Sequence, residues 1–111
     1  MDTVYRLEYI STFHADIAQM AEDLEEYPQK AARILSKLDK ILSHLALMPE
    51  MFPVYEDFPI FRKIVVEDYV VFYLLDRVNN VVEIHRLLYG AMNLPEWLSR
   101  KGTAQYNIKK R

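Results

Sequence analysis

Residues 59–90 read PIFRKIVVEDYVVFYLLDRVNNVVEIHRLLYG, three β-type runs divided by two polar breaks. The runs cover residues 61–66, 69–76 and 81–89. Valine, isoleucine, phenylalanine, tyrosine and leucine dominate them, and most of these suit a pleated, half-buried surface. Glu67-Asp68 fits a tight reversal between the first two. Arg77-Val78-Asn79-Asn80 supplies the next turn, because asparagine tolerates the positive φ that short hairpins demand. The reading is a three-strand antiparallel meander ended by Gly90. Its middle strand is almost wholly apolar, as expected of a central strand covered on one face and partly on the other.

The segments before the meander supply its cover. Residues 4–10, VYRLEYI, alternate as a strand should, with Tyr5, Leu7 and Tyr9 on one side. Ser11 or Thr12 is expected to cap the helix that follows. In that helix Phe13, Ile17, Met20, Ala21 and Leu24 fall at helical spacing, away from Asp16, Glu22, Asp23 and Glu25. Tyr27-Pro28 breaks the pattern, and proline suits the first turn of a second helix. Ala31, Leu35, Leu38, Leu42 and Leu45 then form one stripe through about residue 47. Two helices so closely joined imply an antiparallel hairpin roofing one face of the sheet.

Residues 49–59, PEMFPVYEDFP, hold three prolines and are expected to form an ordered connection with little regular structure. After Gly90, Asn93-Leu94-Pro95 opens a short helix that Gly102 can close. Residues 103–111 read as a polar, basic tail. The fold class is therefore α+β: an N-terminal strand, a helical hairpin, a small antiparallel sheet and a short C-terminal helix. Residues 1–102 form a single domain. The sheet face opposite the helices is expected to stay open to a ligand or partner.

Composition bounds the chemistry. A chain of 111 residues, 51% hydrophobic and 27% charged, belongs with folded soluble domains. It has no cysteine, so disulfides and thiolate metal sites are excluded. No apolar run approaches the ~20 residues that span a bilayer, and the N-terminus lacks signal-peptide character. A cytoplasmic protein without membrane contact is expected. The net charge of −2 divides unevenly, with an acidic front and a basic back from residue 61 onward. Such a field favours an anionic partner near the C-terminal half, yet falls short of a nonspecific nucleic-acid binder.

Arg62, Lys63, Arg86 and Tyr89 are the candidate site residues, cations and a phenol set on otherwise apolar strands. Arg62 and Lys63 are adjacent and point to opposite faces. Arg86 lies in phase with Val82, Ile84 and Leu88. It must find an acceptor, escape to a sheet margin or follow a bulge, and a structural ion pair with Asp76 or Glu83 is the ordinary alternative to a phosphate contact. Tyr89 either donates to a ligand or packs at the edge. His14, His44 and His85 lack metal-ligand spacing, so no metal and no cofactor is expected. No phosphate loop, GxSxG elbow or HExxH motif is present.

Tyr5 to Ile10, the paired helices, FRKIVVEDYVVFYLLD and VVEIHRLLYGAMNL together resemble the RelE/ParE superfamily of toxins from type II toxin–antitoxin (plasmid stabilisation) systems. The resemblance covers residues 4–99. It is carried most by Arg62, Lys63, Val66, Tyr69, Tyr73 and Asp76, and by Arg86, Leu88, Tyr89 and Gly90. It implies a growth-inhibiting toxin held by a cognate antitoxin, reaching operator DNA only through that antitoxin. RelE-like members cleave messenger RNA on the ribosome, and ParE-like members inhibit DNA gyrase. Metal-independent RNA cleavage needs a base, an acid and cations at the pentavalent phosphate. Arg62, Arg86 and Tyr89 would be the catalytic set, with His85 as base. Val70 and Ala91-Met92-Asn93 stand where ribonuclease relatives tend to carry basic or histidine residues. The departure tilts the expectation toward a ParE-like, gyrase-directed toxin. An mRNA endoribonuclease is the alternative, and a degenerate noncatalytic binding module a further one. On either toxin reading Arg86→Ala is expected to abolish toxicity while sparing the fold.

Overall fold

The computed structural model describes residues 3–99. The expected Gly102 stop and the expected tail at residues 103–111 lie outside them. Strand β1 (Arg6–Tyr9) leads into helices α1 (Ser11–Asp23) and α2 (Pro28–Leu45). Strands β2 (Arg62–Val66), β3 (Tyr69–Asp76) and β4 (Val81–Tyr89) follow, then a short helix α3 (Leu94–Leu98). The order across the sheet is β1-β4-β3-β2. The meander of β2, β3 and β4 is antiparallel as expected, and β1 adds to β4 in parallel, from Arg6 opposite Val81 to Tyr9 opposite Ile84. The sheet is therefore mixed.

The two turns differ in what holds them. Asn80 takes a φ of 57°, the left-handed conformation foreseen for it. The Asp76 carboxylate closes that turn by accepting from the backbone N–H groups of Val78 and Asn79. At the β2–β3 turn Glu67 has a φ of 56°, so a non-glycine residue bears the strained position. Its carboxylate accepts from Arg33 Nε at 2.6 Å and Lys37 Nζ at 2.8 Å, and Asp68 accepts from Lys30 at 2.8 Å. Three cations one helical row apart on α2 thus clamp the turn. Glu67 and Asp68, which the sequence offers as turn residues, are therefore held by the helix and not merely solvated.

The helices roof one face with Phe13, Met20, Ile34, Leu38, Leu42 and Leu45, packed on Ile64, Val66, Val71, Tyr73, Val82 and Ile84. Each fully buried aliphatic side chain contributes roughly 1.5–3 kcal/mol of transfer free energy. Leu35, expected in the α2 stripe, is 41% exposed, and Ile34 beside it is wholly buried. Both fit helical spacing; the position of the sheet decides between them. The expected cap at Ser11 or Thr12 is also absent. Ile10 occupies the N-cap without a side-chain bond, and Thr12 is used elsewhere.

The second face is not open. Tyr55 from the proline-rich connection, Phe61 just before β2 and Leu98 from α3 pack against Val70, Phe72, Leu74 and Leu88. Five prolines stiffen this chain, three of them in the connection, which lowers the entropy lost when it folds over the sheet. The expectation of a ligand-ready underside is corrected: apolar residues on both faces of β3 require cover on both.

Candidate functional site

The site takes shape where β1 stops and β4 continues. Ile10 donates its N–H to the Ile84 carbonyl at 3.0 Å, the last backbone bond on that edge. Beyond it α1 lies along β4 and its side chains take over. Thr12 Oγ1 donates to the His85 carbonyl at 2.7 Å, and Asp16 Oδ2 accepts from the Leu87 N–H at 3.0 Å. Buried backbone groups need partners, and here helix side chains substitute for a neighbouring strand.

A β-bulge sets what faces this edge. Phe72 pairs with Arg86 and Tyr73 with Ile84, so His85 is the inserted residue. Its insertion reverses the alternation of β4. Val82 and Ile84 point to the helices before it, and Leu87 does so after it. Arg86 thereby leaves the helix-side phase of Val82 and Ile84 and lies beside Phe72 on the second face. His85 is buried, its ring 5.2 Å from that of Phe61 and its Nε2 3.1 Å from Glu83 Oε1.

Arg86 is only 8% exposed. Its Nε meets Asp16 Oδ2 at 2.7 Å and its NH2 meets Asp16 Oδ1 at 2.9 Å, the bidentate geometry natural to guanidinium and carboxylate. NH1 donates to the Trp97 carbonyl at 3.2 Å, and the guanidinium sits 6.0 Å from the Trp97 ring centroid. The sequence reading foresaw an ion pair as the alternative but named Asp76 or Glu83 as partners. Asp16 holds it instead.

Next to this pair lies a cleft of about 320 Å³ between α1, the end of β4 and α3. Tyr69 and Tyr89 stand in its wall with ring centroids 5.7 Å apart. Burial, then the charges of Asp23 and Asp68, push the Tyr69 phenol above its ordinary pKa. A shallower concavity of about 520 Å³ at another place is lined by Leu47, Met48 and Met51 with Glu50, a carboxylate already paired with Arg77.

The four sequence candidates do not gather around one point. Arg62 shares the helix-side phase of Ile64 and Val66, and donates to the Phe52 carbonyl at 2.7 Å. Lys63 points the other way, 5.6 Å above the Tyr55 ring centroid. Arg62 pairs with Tyr73 and Tyr89 with Tyr69, four residues apart along β3. At ~3.3 Å per residue that is about 13 Å along the strands alone. Tyr89 does reach the cleft, and Arg86 adjoins it from within. Asp16, Asp23, Tyr69 and Trp97, none of them a site candidate from sequence, complete the surroundings. His14 and His44 are exposed on their helices. Among the described residues no group of three histidine, aspartate or glutamate side chains could hold a metal ion.

Several solved structures share this architecture. The toxin–antitoxin complex RelBE2 from Mycobacterium tuberculosis matches with a TM-score of 0.57 at 16% identity, covering 78% of this chain and 98% of that one. The chromosomal ParDE system from P. aeruginosa gives 0.65 at 13% identity, covering 78% and 97%. YafQ from E. coli gives 0.51 at 20% identity, covering 78% and 94%. At such identities the likeness establishes a shared fold. No curated protein has a significantly similar sequence. The family model of the ParE toxin of type II toxin–antitoxin systems, parDE, matches residues 7–94. The chain belongs to this ParE toxin family, within the RelE/ParE superfamily.

Proposed function

We propose that this toxin arrests growth by binding a protein target, in the ParE-like manner directed at DNA gyrase, and not by cutting RNA. One observation carries the reading: the bidentate bond from Arg86 to Asp16. Phosphoryl transfer needs positive charge facing the pentavalent phosphate, and loss of one such contact typically costs about 3–4 kcal/mol of barrier. Here the guanidinium beside the cleft is neutralised and buried. Arg62 is tied to backbone carbonyls on the far part of the sheet. Asp23 adds negative charge where a phosphate would have to enter.

A cognate antitoxin is the second partner in this proposal. Its amphipathic segment would run along the helical hairpin and the sheet margin, where Leu35 and Val65 are exposed apolar residues. Hydrophobic contacts at such positions give affinity, and complementary charge gives orientation. Operator DNA would be reached through the antitoxin. No helix among the described residues is long and apolar enough to cross a membrane, and the cytoplasm, where gyrase is found, is the proposed location.

The test is a supercoiling assay with purified toxin and gyrase, run beside mapping of transcript ends after toxin expression. Falling supercoiling with intact transcripts is the expected result. Transcripts cut at fixed codon positions would overturn the proposal in favour of a ribosome-dependent endoribonuclease. Normal growth on expression of the toxin alone would leave a noncatalytic binding module.

A further inference from the structure

The cleft beside the Arg86–Asp16 pair has a charge and shape of its own. Asp16 is consumed by Arg86 and by the Leu87 N–H. Asp23, the last residue of α1, accepts from the neutral Gln19 amide at 2.9 Å and has no cationic partner among the described residues. Its place at a helix C-terminus adds the partial negative charge of that end. Lys30, whose charge reaches both Tyr69 and Tyr89, is held by Asp68 at 2.8 Å. The cleft is left electronegative.

Its walls are otherwise apolar and aromatic: Met20, Tyr69, Leu87, Tyr89 and Trp97. Ring faces attract cations when water is excluded. The chain itself provides an instance, the Arg86 guanidinium over Trp97. A volume of about 320 Å³ lies at the small end of the roughly 300–1,000 Å³ usual for ligand sites. It suits one long side chain and excludes a nucleotide stacked with its neighbours. One unpaired carboxylate above an apolar wall matches a single cation on an aliphatic stem. A polyamine, with several charges, would need several carboxylates.

We infer that this cleft is a docking socket for a lysine or arginine side chain presented by a protein partner. The inference deepens the protein-directed reading above by naming the chemistry of the anchor. Such anchors, desolvated in a pocket with aromatic walls, are where interfaces concentrate their affinity. Asp23 supplies the charge, Tyr89 and Tyr69 the aromatic wall, and the Asp16–Arg86 pair fixes the floor without competing for the ligand.

The probe is N-acetyl-arginine amide, titrated into the purified full-length toxin while NMR follows the rings of Tyr69, Tyr89 and Trp97. Uncharged N-acetyl-norleucine amide and inorganic phosphate serve as the comparison arms. The expected result is a saturable shift of these rings with the arginine probe alone, roughly two- to five-fold weaker in Asp23→Asn. Asp23→Asn keeps an acceptor for Gln19, and its unchanged backbone spectrum would show that the fold is intact. If the substitution perturbs the fold, raised salt replaces it: a charge-led site weakens with ionic strength and an apolar one does not. Equal response to norleucine amide or phosphate, no saturable response to the arginine probe, or ring contacts from one of the chain's own cations would each overturn the inference. The readout is independent of gyrase: a toxin that binds the arginine probe yet spares supercoiling would keep this socket and lose only the assigned target.

Discussion

Asp16 on α1 and Arg86 on β4, 70 residues apart in sequence, meet through two charge-assisted hydrogen bonds of 2.7 and 2.9 Å. Asp16 also accepts from the Leu87 backbone at 3.0 Å, so one carboxylate joins helix to strand and neutralises the arginine. Removing either member leaves the other buried and uncompensated, at a cost of about 3–5 kcal/mol. Arg86→Ala should therefore lower the urea midpoint sharply. The sequence-based expectation of a folded, nontoxic Arg86→Ala gives way to one in which toxicity fails because the fold is weakened. Asp16→Asn combined with Arg86→Met keeps an acceptor for Leu87 and removes both charges. It should recover most of the lost stability in the same urea titration.

The clamp at the β2–β3 turn makes stability depend on acid. Hydrogen bonds from Arg33 and then Lys37 hold the Glu67 carboxyl at about 2, below its ordinary 4.5. Between these values the unfolded chain binds a proton that the folded chain does not, so stability rises with pH. The Glu67 contribution is full above about 4.5 and disappears as pH falls toward 2. Urea midpoints across that window should fall less steeply for Glu67→Gln than for the natural chain. Identical slopes would remove Glu67 from the acid response.

Gly90 is set by close approach. Its N–H donates to the Asp68 carbonyl at 2.8 Å, and a Cβ built there would lie 3.2 Å from that same oxygen. The obstacle is backbone, which yields less readily than the end of a side chain. Gly90→Ala should destabilise by about 1–3 kcal/mol, the usual range for overpacking. Thermal unfolding would register this directly.

Asn80 separates conformational strain from side-chain chemistry. At a φ of 57° an L-residue other than asparagine, aspartate or glycine is strained. Asn80→Val should cost about 1–2 kcal/mol, whereas Asn80→Gly should change the urea midpoint little.

Much of the fold was legible because it rests on local pattern. Strand boundaries at residues 69–76 and 81–89 follow from apolar composition between turn residues, and Pro28 marks the start of α2. What failed required knowledge across the sheet. Leu35 and Ile34 obey the same helical spacing, and only the direction of the sheet selects Ile34. Asp16 stands off the apolar stripe of α1 and carries no sign of a partner 70 residues away. The bulge at His85 likewise depends on the register against β3, so the local pattern allows either side for Arg86 and does not choose between them. The cleft escaped notice for the same reason: only the folded sheet brings the lining residues of α1, β3, β4 and α3 together.

That single inserted residue has a consequence for how such a strand can change. Substitution at position 86 alters the chemistry of one side chain, but loss of one codon at 85 would exchange the helix-side face and the face covered by α3 and the connection for everything from 86 to 89. Arg86 would be driven under the helices and Leu87 away from them. The polarity of this end of the strand is thus governed by length as much as by residue identity, and sequences that differ here by one gap would present opposite surfaces despite nearly identical composition.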